Sequence, residues 1–293
     1  MTVASLPSPG GNELSIGPID LNAYGLMIAL GVVAAVWLFG RRLEANGFAK
    51  RDVAGSIAVW AVIAGVVGAR LYHVITDWSR FEDDLGDIPK VWQGGLGIPG
   101  GLIAGIPVGI WMARRHGISA ADAATCAAPA LPLAQAIGRW GNWFNQELFG
   151  RPTDLPWGLE IDPENRPTQY AGEETFHPTF LYESLWNLAL CGLVLWIDRR
   201  WRLARGALMA VYIAGYGIGR FWVEGMRIDD ADEFAGLRVN QWVAALAAVL
   251  AIAYIVWVGR QGGITRRDPS ATHPSVEAHP SVEGPEAGPS TLG

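Results

Sequence analysis

Seven long apolar blocks, at 22–40, 53–74, 94–113, 118–137, 179–197, 206–223 and 239–258, alternate with short polar stretches along this chain. Each approaches the roughly 20 residues that carry a helix across a bilayer. The pattern predicts an all-α integral membrane protein of about seven transmembrane helices. A soluble helical protein can bury one or two such runs, whereas seven leave too little polar surface to coat a globule. Two blocks are weaker than the rest. The fourth contains Asp122, Pro129, Pro132 and Gln135, and the third carries seven glycines and two prolines. Small residues at that density allow close helix packing. They equally allow a broken helix whose freed backbone faces a polar cavity.

Three stretches fall outside the blocks. Residues 1–20 form a short N-terminal segment ahead of a domain at 21–260. Residues 138–178 mix Gly, Pro, Trp and charge without a period and are too long for a simple connection, which predicts a small ordered cap. From 261 to 293 the chain turns to Pro, Ser, Glu and Gly, with the repeat HPSVEAHPSVEGP. Such a composition buries too little apolar area to order itself, so a disordered tail is expected.

Charge orients the blocks. The alternate loops 41–52, 114–117, 198–205 and 259–268 hold thirteen of the 22 Lys and Arg residues. The opposite loops are acidic around Glu82, Asp83, Asp84 and Asp87 and again around Glu160, Asp162, Glu164, Glu173 and Glu174. The positive-inside rule then places the N-terminus and the cap outside and the C-terminus in the cytoplasm. The first seventeen residues hold no Lys or Arg, so the first block reads as an uncleaved anchor and not as a signal peptide. Of the fourteen tryptophans, Trp92, Trp111, Trp140, Trp143, Trp222, Trp242 and Trp257 lie near block ends, as in an interfacial aromatic belt. Cys126 and Cys191 sit inside apolar blocks and read as buried packing residues. The five histidines are scattered, so neither a metal site nor a cofactor is expected, and nothing suggests a nucleic-acid partner.

Candidate chemistry gathers at the outer ends of the blocks. The stretch GRWGNWFNQELFGR, residues 138–151, crowds Arg139, Asn142, Asn145, Glu147 and Arg151 at a membrane boundary. Polar groups there are costly unless they pair or bind something polar. The planar fork of arginine suits a phosphate, and Gly138, Gly141 and Gly150 let backbone approach a ligand closely. A salt-bridge cluster of Arg139, Glu147 and Arg151 is the plainer alternative. In YGIGRFWVEGMR, Tyr216, Arg220, Glu224 and Arg227 fall on one helical stripe at the same face, where Arg220 and Glu224 also suit a simple i, i+4 ion pair. In HPTFLYE, residues 177–183, His177, Tyr182 and Glu183 could hold or pass a proton, although a His before Pro is often structural.

Together these motifs resemble the prolipoprotein diacylglyceryl transferase family over residues 20–257. The signature at 138–151 carries most of the resemblance. YGLM at 24–27, GAR at 68–70, the glycine pairs at 94–101, HPTFLYE and the Tyr216–Arg227 stripe follow in the family's order. The resemblance implies attack by a lipobox cysteine thiol of a prolipoprotein signal peptide on the terminal glycerol carbon of phosphatidylglycerol. The products would be a thioether-linked diacylglyceryl precursor and glycerol 1-phosphate, the first step of bacterial lipoprotein maturation at the plasma membrane. It implies a site of Tyr24, Arg139, Asn142, Asn145, Glu147, Gly150, Arg151, Tyr216, Arg220, Glu224 and Arg227, with Arg139 and Arg220 on the phosphate. A monomer would suffice, because seven helices can enclose such a site. One position departs from the family: Pro99 stands where many members have a His thought to help deprotonate the thiol. His177 and Glu224 are the candidate replacements. Another phosphatidylglycerol-consuming transferase and a lipid or anion transporter are the competing readings.

Overall fold

The computed structural model describes residues 5–16, 19–82, 84–91 and 94–266. The chain is mostly helical. Each apolar block forms a helix: α1 (Ala23–Ala45), α2 (Val53–Thr76), α3 (Ile98–Arg115), α7 (Thr179–Arg200), α8 (Ala207–Glu224) and α9 (Val239–Arg260). The fourth block differs. It divides into α4 (Ala120–Ala127) and α5 (Ala130–Gly138) around Pro129, which has no N–H to continue the ladder, and continues as the short α6 (Trp140–Phe144). Local chemistry fixes several starts. The Asn22 side chain caps α1 by accepting from the Tyr24 and Gly25 amides at 2.9 and 3.2 Å. Ser119 caps α4 through the Asp122 amide at 3.1 Å. Pro99 occupies the first turn of α3, where its missing N–H costs nothing. By length and composition α1, α2, α7 and α9 can each cross a membrane.

The expected all-α architecture is corrected in one respect. Among the described residues, four two-stranded antiparallel sheets accompany the helices: β1 (Glu13–Ile16) with β2 (Ile19–Asn22), β3 (Leu159–Glu160) with β4 (Thr175–Phe176), β5 (Trp201–Leu203) with β8 (Ile264–Arg266), and β6 (Glu233–Phe234) with β7 (Leu237–Arg238). β3 and β4 belong to the cap, whose core is Phe149, Leu159, Ile161, Phe176 and Phe180. The N-terminal stretch joins that cap, as Leu6 exchanges backbone hydrogen bonds with Gly158 and Glu160 at 2.8 and 2.9 Å. At the other end of the bundle, β8 extends order past the expected domain limit at 260. The rest of the expected tail, 267–293, lies outside the described residues, as do Asp83 and Trp92.

Packing is inside out relative to a water-soluble bundle. Ile103 is 71% exposed, and Val33, Leu246 and Val249 also face outward, while the α8–α9 interface buries Ala210, Ala214, Ala244, Ala248 and Ala251. Lipid gives no hydrophobic drive between helices, so small residues that permit close contact hold them together. The third block's glycines do this work on α2: a Cβ on Gly100 would collide with the Gly68 carbonyl oxygen, and one on Gly68 with Ala104. Arg70 then ties the following loop down, donating to the carbonyls of Asp87, Ile88 and Gly94 at 2.6, 2.7 and 2.7 Å. At the opposite end Arg42 of α1 pairs with Asp198 of α7 at 3.0 Å and donates to the Cys126 carbonyl.

Candidate functional site

Arg139 stands at the joint between α5 and α6, so the break in the fourth block aims its guanidinium across the end of the bundle. Its Nη1 donates to Asn142 Oδ1 at 3.3 Å, and the buried Asn142 donates from Nδ2 to Glu147 Oε1 at 2.7 Å. The Tyr24 hydroxyl reaches the same asparagine, and its ring lies over Gly141, where a Cβ would fall 2.6 Å from the ring. Beyond α6 the backbone is strained. Gln146 and Leu148 have φ of 49° and 58°, a region that side-chain-bearing residues rarely adopt. Surrounding groups over-determine both. Asp162 brackets the Gln146 amide at 2.5 and 2.8 Å, and Thr179 donates to the Leu148 carbonyl at 2.5 Å. Gly150 then slips between strands, bridging to Arg227, with no room for a Cβ beside His177.

A continuous chain of charge crosses from α5 to α9. Glu183 of α7 takes Arg139 Nε on Oε2 at 2.6 Å, and its Oε1 lies 3.6 Å from Arg220 Nη1. Arg220 Nη2 meets Glu224 Oε2 at 2.7 Å. Glu224 is 0% exposed and also meets Arg227 and Arg238, both at 3.3 Å, and Asn240 at 3.1 Å. Asp229 closes the far end, bound by Arg227 at 2.7 Å and Arg238 at 2.8 Å. Burial alone would raise the Asp229 carboxyl, but these two arginines hold it below the usual carboxylate range. Four guanidiniums thus face three carboxylates, with Glu147 one asparagine away. Such a lattice fixes arginines that would otherwise repel one another. Among the described residues, the buried polar atoms left without a hydrogen bond include Arg220 Nη1 and Asn145 Oδ1. A guanidinium nitrogen with only a 3.6 Å ion-pair contact, beside a second arginine, suits an oxyanion.

The structure therefore brings Tyr24, Arg139, Asn142, Glu147, Arg220, Glu224 and Arg227 to one end of the bundle, although Arg227 lies past the end of α8 and not on its stripe; Tyr216 sits a turn deeper in α8, packed towards Tyr212. The alternative reading, an Arg139–Glu147–Arg151 salt-bridge cluster, does not form among the described residues: Arg139 pairs with Glu183, Glu147 bonds Asn142, and Arg151 donates to the Gly225 carbonyl at 2.9 Å. The Arg220–Glu224 ion pair does form, as one link of the longer chain. His177 and Arg151 stand at the cap side. His177 Nδ1 shares a 3.1 Å hydrogen bond with the Tyr182 hydroxyl, which accepts from Trp157 Nε1 at 3.0 Å. Burial, and then Arg151, hold the imidazole below its ordinary value, which favours the neutral ring. Sequence reasoning offered Glu183 only as a group that could hold or pass a proton, not as the carboxylate shared by two arginines, and passed over Arg238, Asp229 and Asn240. The available signal was Arg238 itself, an arginine following the acidic run Asp229, Asp230, Asp232 and Glu233.

Residues 12–257 match the family model described as prolipoprotein diacylglyceryl transferase. The chain is 52% identical over 264 residues to a phosphatidylglycerol–prolipoprotein diacylglyceryl transferase of Frankia alni, covering 89% of this chain and 69% of that relative. It is 50% identical over 260 residues to the protein of the same name from Streptomyces griseus, covering 87% and 78%. To the one from Cutibacterium acnes it is 46% identical over 263 residues, covering 88% of each.

Proposed function

The chain belongs to the prolipoprotein diacylglyceryl transferase family and is an enzyme of that class, and on that footing we propose how its residues perform the transfer. The lipobox cysteine sulfur attacks the glycerol carbon that carries the phosphate of phosphatidylglycerol. The C–S bond forms as the C–O bond to phosphate breaks, glycerol 1-phosphate leaves with the bonding electrons, and the thiol proton passes to a base. The leaving phosphate gains charge in the transition state, so fixed donors aimed at it lower the barrier. Arg139 and Arg220 supply them, with Tyr24, Asn142, Asn145, Glu147, Tyr216, Arg151 and Arg227 lining or bracing the site. Gly150 lets the cap strand close over it.

The base is His177. Glu224 is tied up by three guanidiniums and holds Arg220 in place, whereas His177 is neutral and, with Nδ1–H donating to Tyr182, leaves Nε2 free to take a proton. Pro99 then needs no chemical role, since it serves as a helix start.

All seven helical columns cross the bacterial plasma membrane, with the N-terminus and the site outside and the C-terminus inside. Both substrates lie in the membrane, and a monomer suffices. The observation that carries this reading is the pair Arg139 and Arg220, both held by the Glu183 carboxylate at one end of a bundle with an apolar exterior, with Arg220 Nη1 making no hydrogen bond. Transfer from radiolabelled phosphatidylglycerol to a lipobox peptide in detergent tests it. Label is expected with the unmodified chain and is lost with Arg139→Ala and with a Cys→Ser peptide. Full transfer by folded Arg139→Ala would remove Arg139 from the site.

A further inference from the structure

The turn that follows α6 runs against the preferences of its own residues. Gln146 and Leu148 carry side chains at φ of 49° and 58°, a region that glycine enters freely and other residues rarely do. Leu148 is held from α7, where the Thr179 hydroxyl donates to its carbonyl. Gln146 is held from the cap. It is 7% exposed, its Nε2 donates to Asp162 Oδ2 at 2.5 Å, and its Oε1 accepts from the Asp162 amide at 2.8 Å. A single residue thus satisfies both ends of one buried carboxamide. Asp162 is itself fixed, because it follows Ile161, which is 1% exposed in the cap core. The Ile161 N–H donates to the Glu174 carbonyl at 3.1 Å, and its carbonyl accepts from Arg166 Nε at 2.7 Å.

What the turn delivers is the residue on either side. With Gln146 at positive φ the chain doubles back, so that the Glu147 N–H reaches the Asn142 carbonyl at 3.1 Å and the Glu147 carboxylate accepts from Asn142 Nδ2 at 2.7 Å. Asn142 in turn accepts from Arg139 Nη1 at 3.3 Å. On the other side, Asn145 Oδ1 is buried and makes no hydrogen bond among the described residues. Relaxation of the turn would swing Glu147 away from Asn142 and leave the Arg139 guanidinium with Glu183 as its remaining anchor. Backbone in a sparsely populated region persists only where its surroundings over-determine it, and such places gather where geometry serves function. We infer that Asp162 is a positioning residue: from the cap it holds Gln146 in the left-handed turn that sets Asn142, Glu147 and Arg139 for the transfer. The cap then acts on the chemistry through one carboxylate–carboxamide pair.

The inference rests on the reading of Arg139 and Asn142 as site residues, which Arg139→Ala tests by itself in a chain that keeps the clamp. Two substitutions at one position separate holding from mere presence. Gln146→Ala loses the clamp and keeps a Cβ at positive φ, whereas Gln146→Gly loses the clamp and the strain together. With transfer measured per folded protein, Gln146→Ala should lower kcat about tenfold, as expected for one hydrogen bond to a charged group. Gln146→Gly should stay within about threefold of the unmodified chain, because glycine takes this turn unaided. Asp162→Ala should also cost about tenfold in kcat, but little in a Gln146→Gly background, where no side chain is left to hold. Asp162→Asn, which keeps an acceptor of the same shape, should restore most of the rate. Equal losses from Asp162→Ala in both backgrounds would mean that Asp162 supports the fold of the cap and not this turn, and would overturn the inference. Full activity of Gln146→Ala would overturn it too.

Discussion

Glu183 holds two arginines with one carboxylate, and this fixes what its loss would do. Glu183→Gln keeps the shape but leaves Arg139 without its carboxylate and Arg220 with Glu224 alone. Removing one partner of a buried pair costs about 3–5 kcal/mol, and about 3 kcal/mol of that on the transition state is a loss of roughly 100-fold in rate. Transfer kinetics beside a thermal melt check this, and activity within twofold of the unmodified chain would show that Glu183 does not order the pair. His177 makes a different prediction. Its imidazole is held below the ordinary His value, so within the folded chain the neutral form persists as pH falls through about 6.5. The sign for stability follows: the unfolded chain takes up the proton first, so this contribution is present above the ordinary value and declines as pH drops below it. With His177 as base, the rate should be level from about pH 6.5 upward. In His177→Ala the reaction must wait for free thiolate and should climb towards the thiol pKa near 8.5. Parallel pH profiles for the two proteins would reject His177. Both arginines, Asn142 and Glu147 were legible in the sequence because their spacing is local. The bridging role of Glu183, named beforehand only for proton handling, was not, because it exists only once α5, α7 and α8 meet.

Helix seams carry the next level of argument. On α3, Gly100 lies against the Gly68 carbonyl with no space for a side chain. Gly100→Val must push α2 and α3 apart, forfeiting the close contacts that replace hydrophobic drive in lipid. A loss of about 1–3 kcal/mol is expected from overpacking, read as a lowered melting temperature in detergent. Gly55→Ala, on the same α2 but with open space at its Cβ, should hold or slightly raise stability, since alanine is the better helix former. Equal effects would mean that the seam does not decide stability. The seven blocks forecast every long helix because their apolar runs are longer than any competing signal. The same pattern missed the division of the fourth block, although Pro129 marks it. It also missed every strand. The β3, β4, β6 and β7 strands are two residues each, too short to show a period of two, and β8 pairs with β5 from some sixty residues away.

At the scale of the whole molecule, the charge pattern and the site make one joint claim. The ion-pair chain lies at the end that also bears the cap, while the arginine-rich loops and the Arg42–Asp198 pair lie at the other. If the basic loops are cytoplasmic, the site faces outward, where a translocated lipobox cysteine would meet it. Two engineered cysteines separate the faces. Glu173 is exposed in the cap and Gln261 is exposed just past α9, whereas the native Cys126 and Cys191 are buried and should give little background. In intact cells whose periplasm is accessible, a membrane-impermeant maleimide should label Glu173→Cys directly and Gln261→Cys only after the membrane is broken. The reverse pattern would invert the chain and leave the site facing the cytoplasm. Labelling of both before lysis would mean that the number of crossings between them is even. Between residues 173 and 261 run α7, α8 and α9, three antiparallel columns, of which α8 is the shortest at 18 residues and carries Arg220 and Glu224. The experiment therefore also asks whether a helix bearing the half-buried Arg220 and the fully buried Glu224 spans the bilayer. Within the ion-pair chain those charges are already paired, as a crossing by α8 would require.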